Sequence, residues 1–400
     1  MFTNAIFDMT FGQIIGQNRT KSFLRQLAHR ERVPHALLLL GSTGSGSLAL
    51  ALAFAQLLQC ENALRSNQAN AADLAPVNQS TDQPVNQVAD DACGICSACR
   101  KAAQFAHPDI HFSFPTIGTN AVSTDYLKAW RQSLTENPYA DVYTWLQRIG
   151  AENKQGNINK EECNAIVRKL SLKAFEGRYK ILVMWMPEYL GKEGNRLLKL
   201  IEEPPDQTIF LLVAENQEAI LNTILSRCQL VKTDPLTDEE VAAGLQAQRG
   251  LDANRARQIA FLAGGDFHYA LQAADTHDHD DAQMLLDWLR KCWRGNPVEL
   301  VRCTEEFAKL GRENQKQFLQ YGLHFLRELL ALVATGQTDL RLRADELTTA
   351  QNMGKVLNFE KISQLAGIFN DNIYYIERNA NPKILFLDTS IQMNKILKSA

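Results

Sequence analysis

His35-Ala-Leu-Leu-Leu-Leu-Gly41-Ser-Thr-Gly44-Ser-Gly46-Ser47-Leu48 reads as an apolar strand that breaks into a glycine-rich turn and runs on into a helical stretch, 49–58. Strand, glycine turn and helix in that order form the layout of a phosphate-binding P-loop. Laid on the pattern G-x-x-x-x-G-K-[ST], Gly41 and Gly46 take the two glycine places. Ser47, however, stands where lysine should be, and Leu48 where the metal-binding hydroxyl should be. A working site needs the lysine ammonium on the phosphates and the hydroxyl on Mg²⁺. Without them only backbone N–H groups and a helix N-terminus remain to meet an anion. Gly41, Gly44, Gly46 and Ser47 are thus the candidate nucleotide-binding residues by position, and no bound ATP is expected.

A hydrolysing P-loop enzyme also needs an acidic residue at the end of a second buried strand. The matching strand here ends Val183-Met-Trp-Met-Pro187-Glu188, with no Asp-Glu pair where one belongs. Glu188, beyond the proline, reads as an exposed carboxylate rather than a displaced base. Further strands are expected at 109–115, 179–185, 208–214 and 230–233. Helices are expected at 18–31, 122–149, 158–170 (with Asn159 as N-cap) and 194–202, the last stopped by Pro204-Pro205. Alternating strands and helices imply a mainly parallel sheet in three layers. The basic residues Arg19, Lys21, Arg25, Arg30 and Arg32 read as a solvated helix face, with a DNA or partner surface as the sharper alternative. Trp130, Tyr139, Tyr143 and Trp145 read as core or docking surface.

Of eight cysteines, Cys60, Cys93, Cys96 and Cys99 gather in sequence, the last three at C-x2-C-x2-C spacing. A soft S₄ set suits structural, tetrahedral Zn²⁺ with no position open to substrate. An iron–sulfur cluster is the alternative metal, and reduced loop cysteines are the reading without one. Between the cysteines, 62–92 is rich in Asn, Gln, Ala and Asp and poor in large apolar residues, so it is expected to be a disordered insertion. The 400 residues carry a net charge of -3, which argues against a chain that coats nucleic acid. No apolar run is long enough to span a membrane, and residues 1–8 do not look like an export signal, so a cytoplasmic protein is expected.

Beyond Pro235 the pattern turns wholly helical. Thr237 with Glu240 three residues later forms a capping box. His277 and His279 sit in a polar join and read as solvated rather than metal-binding. From 282 to 400 amphipathic helices imply a separate bundle with Trp288, Trp293, Phe307, Phe318, Phe325 and Leu329 as its core. Between the last two strands, Ser226-Arg227-Cys228 contains an arginine that reads either as a surface residue or as an arginine finger for a neighbour's phosphate.

Asn195-Arg-Leu-Leu-Lys-Leu-Ile-Glu-Glu-Pro-Pro205, Ser226-Arg227-Cys228, Gly12-Gln-Ile-Ile-Gly-Gln17 and the P-loop with four cysteines together resemble the bacterial DNA polymerase III clamp loader, an AAA+ assembly. The likeness runs over 11–271, with a weaker echo in Glu377-Arg-Asn-Ala-Asn-Pro-Lys-Ile-Leu-Phe386. Against the family's motor subunits, Met184 and Trp185 fall on the Walker B Asp-Glu places. His268, in Gly264-Gly-Asp-Phe-His268-Tyr-Ala-Leu271, falls on the sensor 2 arginine. All three departures resemble the delta-prime class of subunit. The resemblance implies an AAA+ P-loop core with a zinc module (1–235), a helical lid (236–280) and an all-α collar (281–400). It also implies that Arg227 serves a neighbour's ATP site in trans. The implied partners are gamma/tau-like and delta-like subunits, the sliding clamp and primer-template DNA. Outside the class, the alternatives are a zinc-containing DNA-binding or repair protein, or a small-molecule P-loop kinase. Within it, the alternative is an active ATPase subunit with unusual motifs.

Overall fold

The computed structural model describes residues 9–30, 33–63, 91–151, 155–275, 281–336, 340–378 and 380–398. Most of the expected 62–92 insertion, together with Arg32, His277 and His279, lies outside the described residues. The chain divides into two compact units, residues 1–250 with 263–271, and residues 251–262 with 272–400.

The first unit is built on five strands: β1 (Ala36–Leu40), β2 (Ile110–Ser113), β3 (Lys180–Trp185), β4 (Thr208–Ala214) and β5 (Gln229–Lys232). They lie in the order β2-β3-β4-β1-β5, and every pairing is parallel. Parallel neighbours need crossovers, and the helices between them cover both faces, which is why β3 and β4 are apolar along nearly their whole length. Because side chains alternate along a strand, Ala36, Leu38, Leu182, Met184, Phe210 and Leu212 join Ile166 and Leu170 of helix Lys160–Leu170 and Leu197 and Ile201 beyond β3. The alternate residues, Leu37 and Leu39 among them, are equally buried and meet the P-loop helix Ser47–Gln59, which crosses β1, β3 and β4. The expected three-layered parallel sheet is therefore present.

Local signals placed several ends correctly. Asn159 caps helix Lys160–Leu170 by accepting from the Glu162 amide at 3.0 Å. Thr237 and Glu240 form the reciprocal box at the start of helix Asp238–Arg249, with bonds of 2.9 and 3.2 Å. The expected helix 194–202 is less regular: a 3₁₀ segment, Pro187–Leu197, carries a break at Gly191 and passes into a short α-helix, Leu198–Glu202. The basic helix Asn18–His29 is not the freely solvated face its charges suggested. Lys21 is buried, its ammonium donating to the Ile14 carbonyl at 2.5 Å, and Arg25 lies 5.3 Å over the Phe11 ring. Burial pulls the Lys21 pKa below the usual lysine value, with Arg25 adding to the effect.

The second unit is helical. Trp288, at the centre of its core, stacks on Phe369 at 5.6 Å and meets Phe307 and Phe318 edge-on or tilted, and its indole N–H reaches Ser390 Oγ at 2.9 Å. Phe325 and Leu329 are in the same core as expected. Trp293 is not. It is 47% exposed, because five residues along a helix turn it about 140° from Trp288. Instead it lines a surface groove with Met353 and Val356. Among the described residues no helix is long and apolar enough to cross a membrane.

Candidate functional site

Gly41 leaves β1 with its N–H on the Ala214 carbonyl at 3.1 Å, and the loop then closes around its own hydroxyls. Ser47, in the lysine place, is buried with its Oγ 2.5 Å from Thr233 Oγ1 and 3.1 Å from Ser45 Oγ. Thr233, one residue beyond β5, also donates to the Leu40 carbonyl at 3.2 Å. Three hydroxyls thus stitch the loop to the strand ends from inside. Gly44 (φ 70°) and Gly46 (φ 91°) both lie in the left-handed region. A Cβ at 44 would fall 1.9 Å from Asp266 Oδ1, and one at 46 would fall 3.0 Å from the Tyr139 ring. The space left among Gly41, Gly46, Tyr139, Trp185 and Glu215 is about 20 Å³. That is room for a water, whereas ligand pockets run to roughly 300–1,000 Å³.

The walls are acidic. Glu215, just past β4, accepts from the Thr43 hydroxyl at 2.9 Å, and burial raises its carboxyl to about 7, with Asp141, Glu188 and Asp266 adding to the rise. Asp266 accepts from the Tyr269 amide at 3.0 Å and is raised by burial to about 6. The adjoining Phe267 amide donates to the Gly44 carbonyl at 3.2 Å, so the start of helix Phe267–Asp275 is bonded directly to the loop. His268 is bonded internally. Its Nδ1 is 2.8 Å from the Asn137 amide, and its Nε2 is 3.1 Å from Thr144 Oγ1 and 3.5 Å from Asp141. Burial works against the Asp141 charge, yet its His268 and Thr144 partners hold the carboxyl down at about 2.

Met184 and Trp185 are buried in β3, and Trp185 packs on Trp130, which in turn stacks on Phe114 and meets Trp145 edge-on. Met184 lies on the other face of the strand, in the aliphatic core with Leu182 and Leu212. Tyr139 is buried too, its phenol raised to about 12 by burial, while Tyr143 is half-buried. Glu188 is not the exposed carboxylate expected: its Oε1 accepts from the Glu215 and Asn216 amides at 2.7 and 2.8 Å, bracing the turn after β4. Gln17, the end of the Gly12-to-Gln17 motif, donates from Nε2 to the Ser45 and Asp234 carbonyls at 3.0 and 2.6 Å. Its part in holding the loop had no signal in spacing, and neither had those of Thr233, Glu215 and Asp266.

The four cysteines meet. Cys60 ends the P-loop helix, Cys96 caps helix Ser97–Ala103, and all four Sγ atoms lie within 4.8 Å of one another. The Cys93 and Cys99 sulfurs are 3.9 Å apart, close to the roughly 3.8 Å edge of a tetrahedron with 2.3 Å zinc–sulfur bonds. The Cys93 amide donates to Cys60 Sγ at 3.3 Å and the Cys99 amide to Cys96 Sγ at 3.4 Å. The hydrogen bond between Cys99 and Cys60 draws the Cys60 thiol down to about 4 and pushes Cys99 up. The cluster could hold a metal ion. Arg227 lies elsewhere, between helix Asn222–Leu225 and β5. It is bonded to Glu202 at 3.0 Å and to the Thr223 carbonyl at 2.7 Å.

A parallel sheet in the order β2-β3-β4-β1-β5, a glycine-rich loop at the end of β1 and a helical second unit define an α/β protein of P-loop layout. The chain belongs to the family described as DNA polymerase III, delta subunit, whose model matches residues 16–237. It is 21% identical to DNA polymerase III subunit tau of Bacillus subtilis over 94% of this chain and 60% of that one. It is 24% identical to DNA polymerase III subunit delta' of Haemophilus influenzae over 60% of this chain and 61% of that one. The chain thus spans about 60% of the length of these curated relatives. A gamma subunit-related protein of Thermotoga maritima aligns with 95% of this chain and 100% of its own, at 12% identity and a TM-score of 0.39, too distant a likeness to bear on the fold.

Proposed function

We propose that this chain is a non-hydrolysing, delta-prime-like subunit of a DNA polymerase III sliding-clamp loader. It would support ATP-dependent loading of the clamp in replication while turning over no ATP itself. One observation carries the reading: Ser47, in the lysine place, is tied to the Ser45 and Thr233 hydroxyls, and the space left at the loop is about 20 Å³, with Glu215 lining it and Asp266 set against Gly44. A triphosphate would find no room there without rearrangement of the loop, and would meet the Glu215 carboxylate with no lysine to offset it. The useful chemistry would then be Arg227, offered in trans to a neighbouring ATPase subunit. Cys60, Cys93, Cys96 and Cys99 would hold a structural Zn²⁺ that ties the P-loop helix to helix Ser97–Ala103. The partners in this reading are gamma/tau-like and delta-like subunits and, through them, the clamp and primer-template DNA. A three-part division at 1–235, 236–280 and 281–400 belongs to the same reading.

The match to subunit tau along 94% of the chain favours a second reading, an ATPase subunit working through unusual motifs. Purified full-length chain separates the two. The first reading expects neither heat of binding nor turnover with ATP and Mg²⁺. Turnover that disappears in a Gly46→Val variant with unchanged circular dichroism would establish the second.

A further inference from the structure

Arg227 is not loose. Its guanidinium bridges two short helices that pack together: Nη2 meets Glu202 Oε2 at 3.0 Å, while Nη1 donates to the Thr223 carbonyl at 2.7 Å and lies 3.4 Å from Ser226 Oγ. Glu202 is the last residue of helix Leu198–Glu202, and Pro204-Pro205 follow at once, so its backbone is fixed at a helix end. The Arg227 side chain is 30% exposed and that of Glu202 57%, so both charges reach solvent. Arg227 Nε is buried with no acceptor, so the guanidinium's bonding capacity is not exhausted by this arrangement.

We propose that Glu202 is a positioning residue that parks Arg227. Its carboxylate takes the place of the anionic oxygen that the guanidinium meets on a neighbouring chain, and assembly exchanges one for the other. The inference rests on the trans role of Arg227 given above. An arginine fork binds carboxylate and phosphate by the same geometry, so a carboxylate is a fitting stand-in. The exchange is inexpensive, because a partly exposed ion pair contributes little and is screened by salt. The bonds to Thr223 and Ser226 lie at the arginine's own helix end and can persist through the exchange. Parking therefore tunes how readily the finger is delivered, and leaves what it does on arrival unchanged.

The test titrates full-length chain into the tau-type ATPase subunit with primer-template DNA and follows ATP hydrolysis, for the wild type, Glu202→Gln, Arg227→Ala and the double variant. Removing the carboxylate's charge should lower the half-activating concentration by about two- to five-fold at low salt, with the plateau rate unmoved. The difference should shrink as salt rises. In the Arg227→Ala background, followed by binding to the ATPase subunit because that variant should not activate, the same change should do nothing, since the pair no longer exists. If Arg227→Ala activates as well as the wild type, the trans role itself falls, and parking with it. If Arg227→Ala fails to activate while Glu202→Gln either matches the wild type or lowers the plateau, the finger stands and parking is overturned.

Discussion

Glu215 and Asp266 hold carboxyls where little water reaches, and the consequence is a pH dependence of known sign. Their folded-state values, about 7 and about 6, lie above the ordinary 4.5 and 3.8, so the folded chain binds more protons between those limits. Stability should therefore fall as pH rises from about 4 to 7. Asp141, depressed to about 2, acts oppositely, and only below its ordinary 3.8. Glu215→Gln keeps an acceptor for Thr43 and removes the titration. Melting temperatures read from pH 5 to pH 8 should show a flatter decline in that variant, and an unchanged slope would mean the carboxyl is not held in this way. The cysteines make a separate residue-scale prediction. Full chain dialysed against Zn²⁺ should retain about one ion per chain by elemental analysis, and Cys96→Ser should lower affinity by at least tenfold. The two sets of contacts were not equally visible in sequence. C-x2-C-x2-C is a local signal, whereas Asp266 meets Gly44 from more than two hundred residues away.

At the scale of elements, what holds the P-loop is a ring of neighbours. Gln17 sits in the left-handed region at φ 58°, at the start of helix Asn18–His29, and its amide satisfies two carbonyls, at Ser45 and Asp234. Gln17→Ala leaves both without that partner and should cost about 1–3 kcal/mol in urea unfolding. A cost near zero would mean that water replaces the amide. The helix caps were legible because they depend on residues three apart. The irregular Pro187–Leu197 segment was not, because its break at Gly191 and the bracing of Glu188 against β4 are set by what lies alongside. Likewise the stripe of lysine and arginine on Asn18–His29 reads as a wet face by charge alone. Only the packing shows the Lys21 ammonium turned inward onto Ile14 and Arg25 laid over Phe11.

For the whole molecule, the two units rest on different kinds of core. In the helical one Trp288 touches Phe307 and Phe318 from the next two helices and Phe369 and Phe386 from helices some eighty to a hundred residues on. Trp288→Ala should cost about 3–5 kcal/mol, read as a lowered denaturation midpoint, and a cost below about 1 kcal/mol would contradict that central place. Sequence alone determined the parallel α/β class, the strand, glycine turn and helix of the P-loop layout with Ser47 in the lysine place, the cysteine quartet and the change to helices beyond Pro235. Each is written in a spacing or a periodicity that nearby residues satisfy together. Only the tertiary structure decided that Ser47 is tied to Thr233, that Glu215 and Asp266 wall the loop, that Trp293 faces outward and that Glu202 holds Arg227. Ser47 and Thr233, and Gly44 and Asp266, are distant along the chain, and where Trp293 and Arg227 lie is set by what surrounds them, which a one-dimensional pattern does not carry.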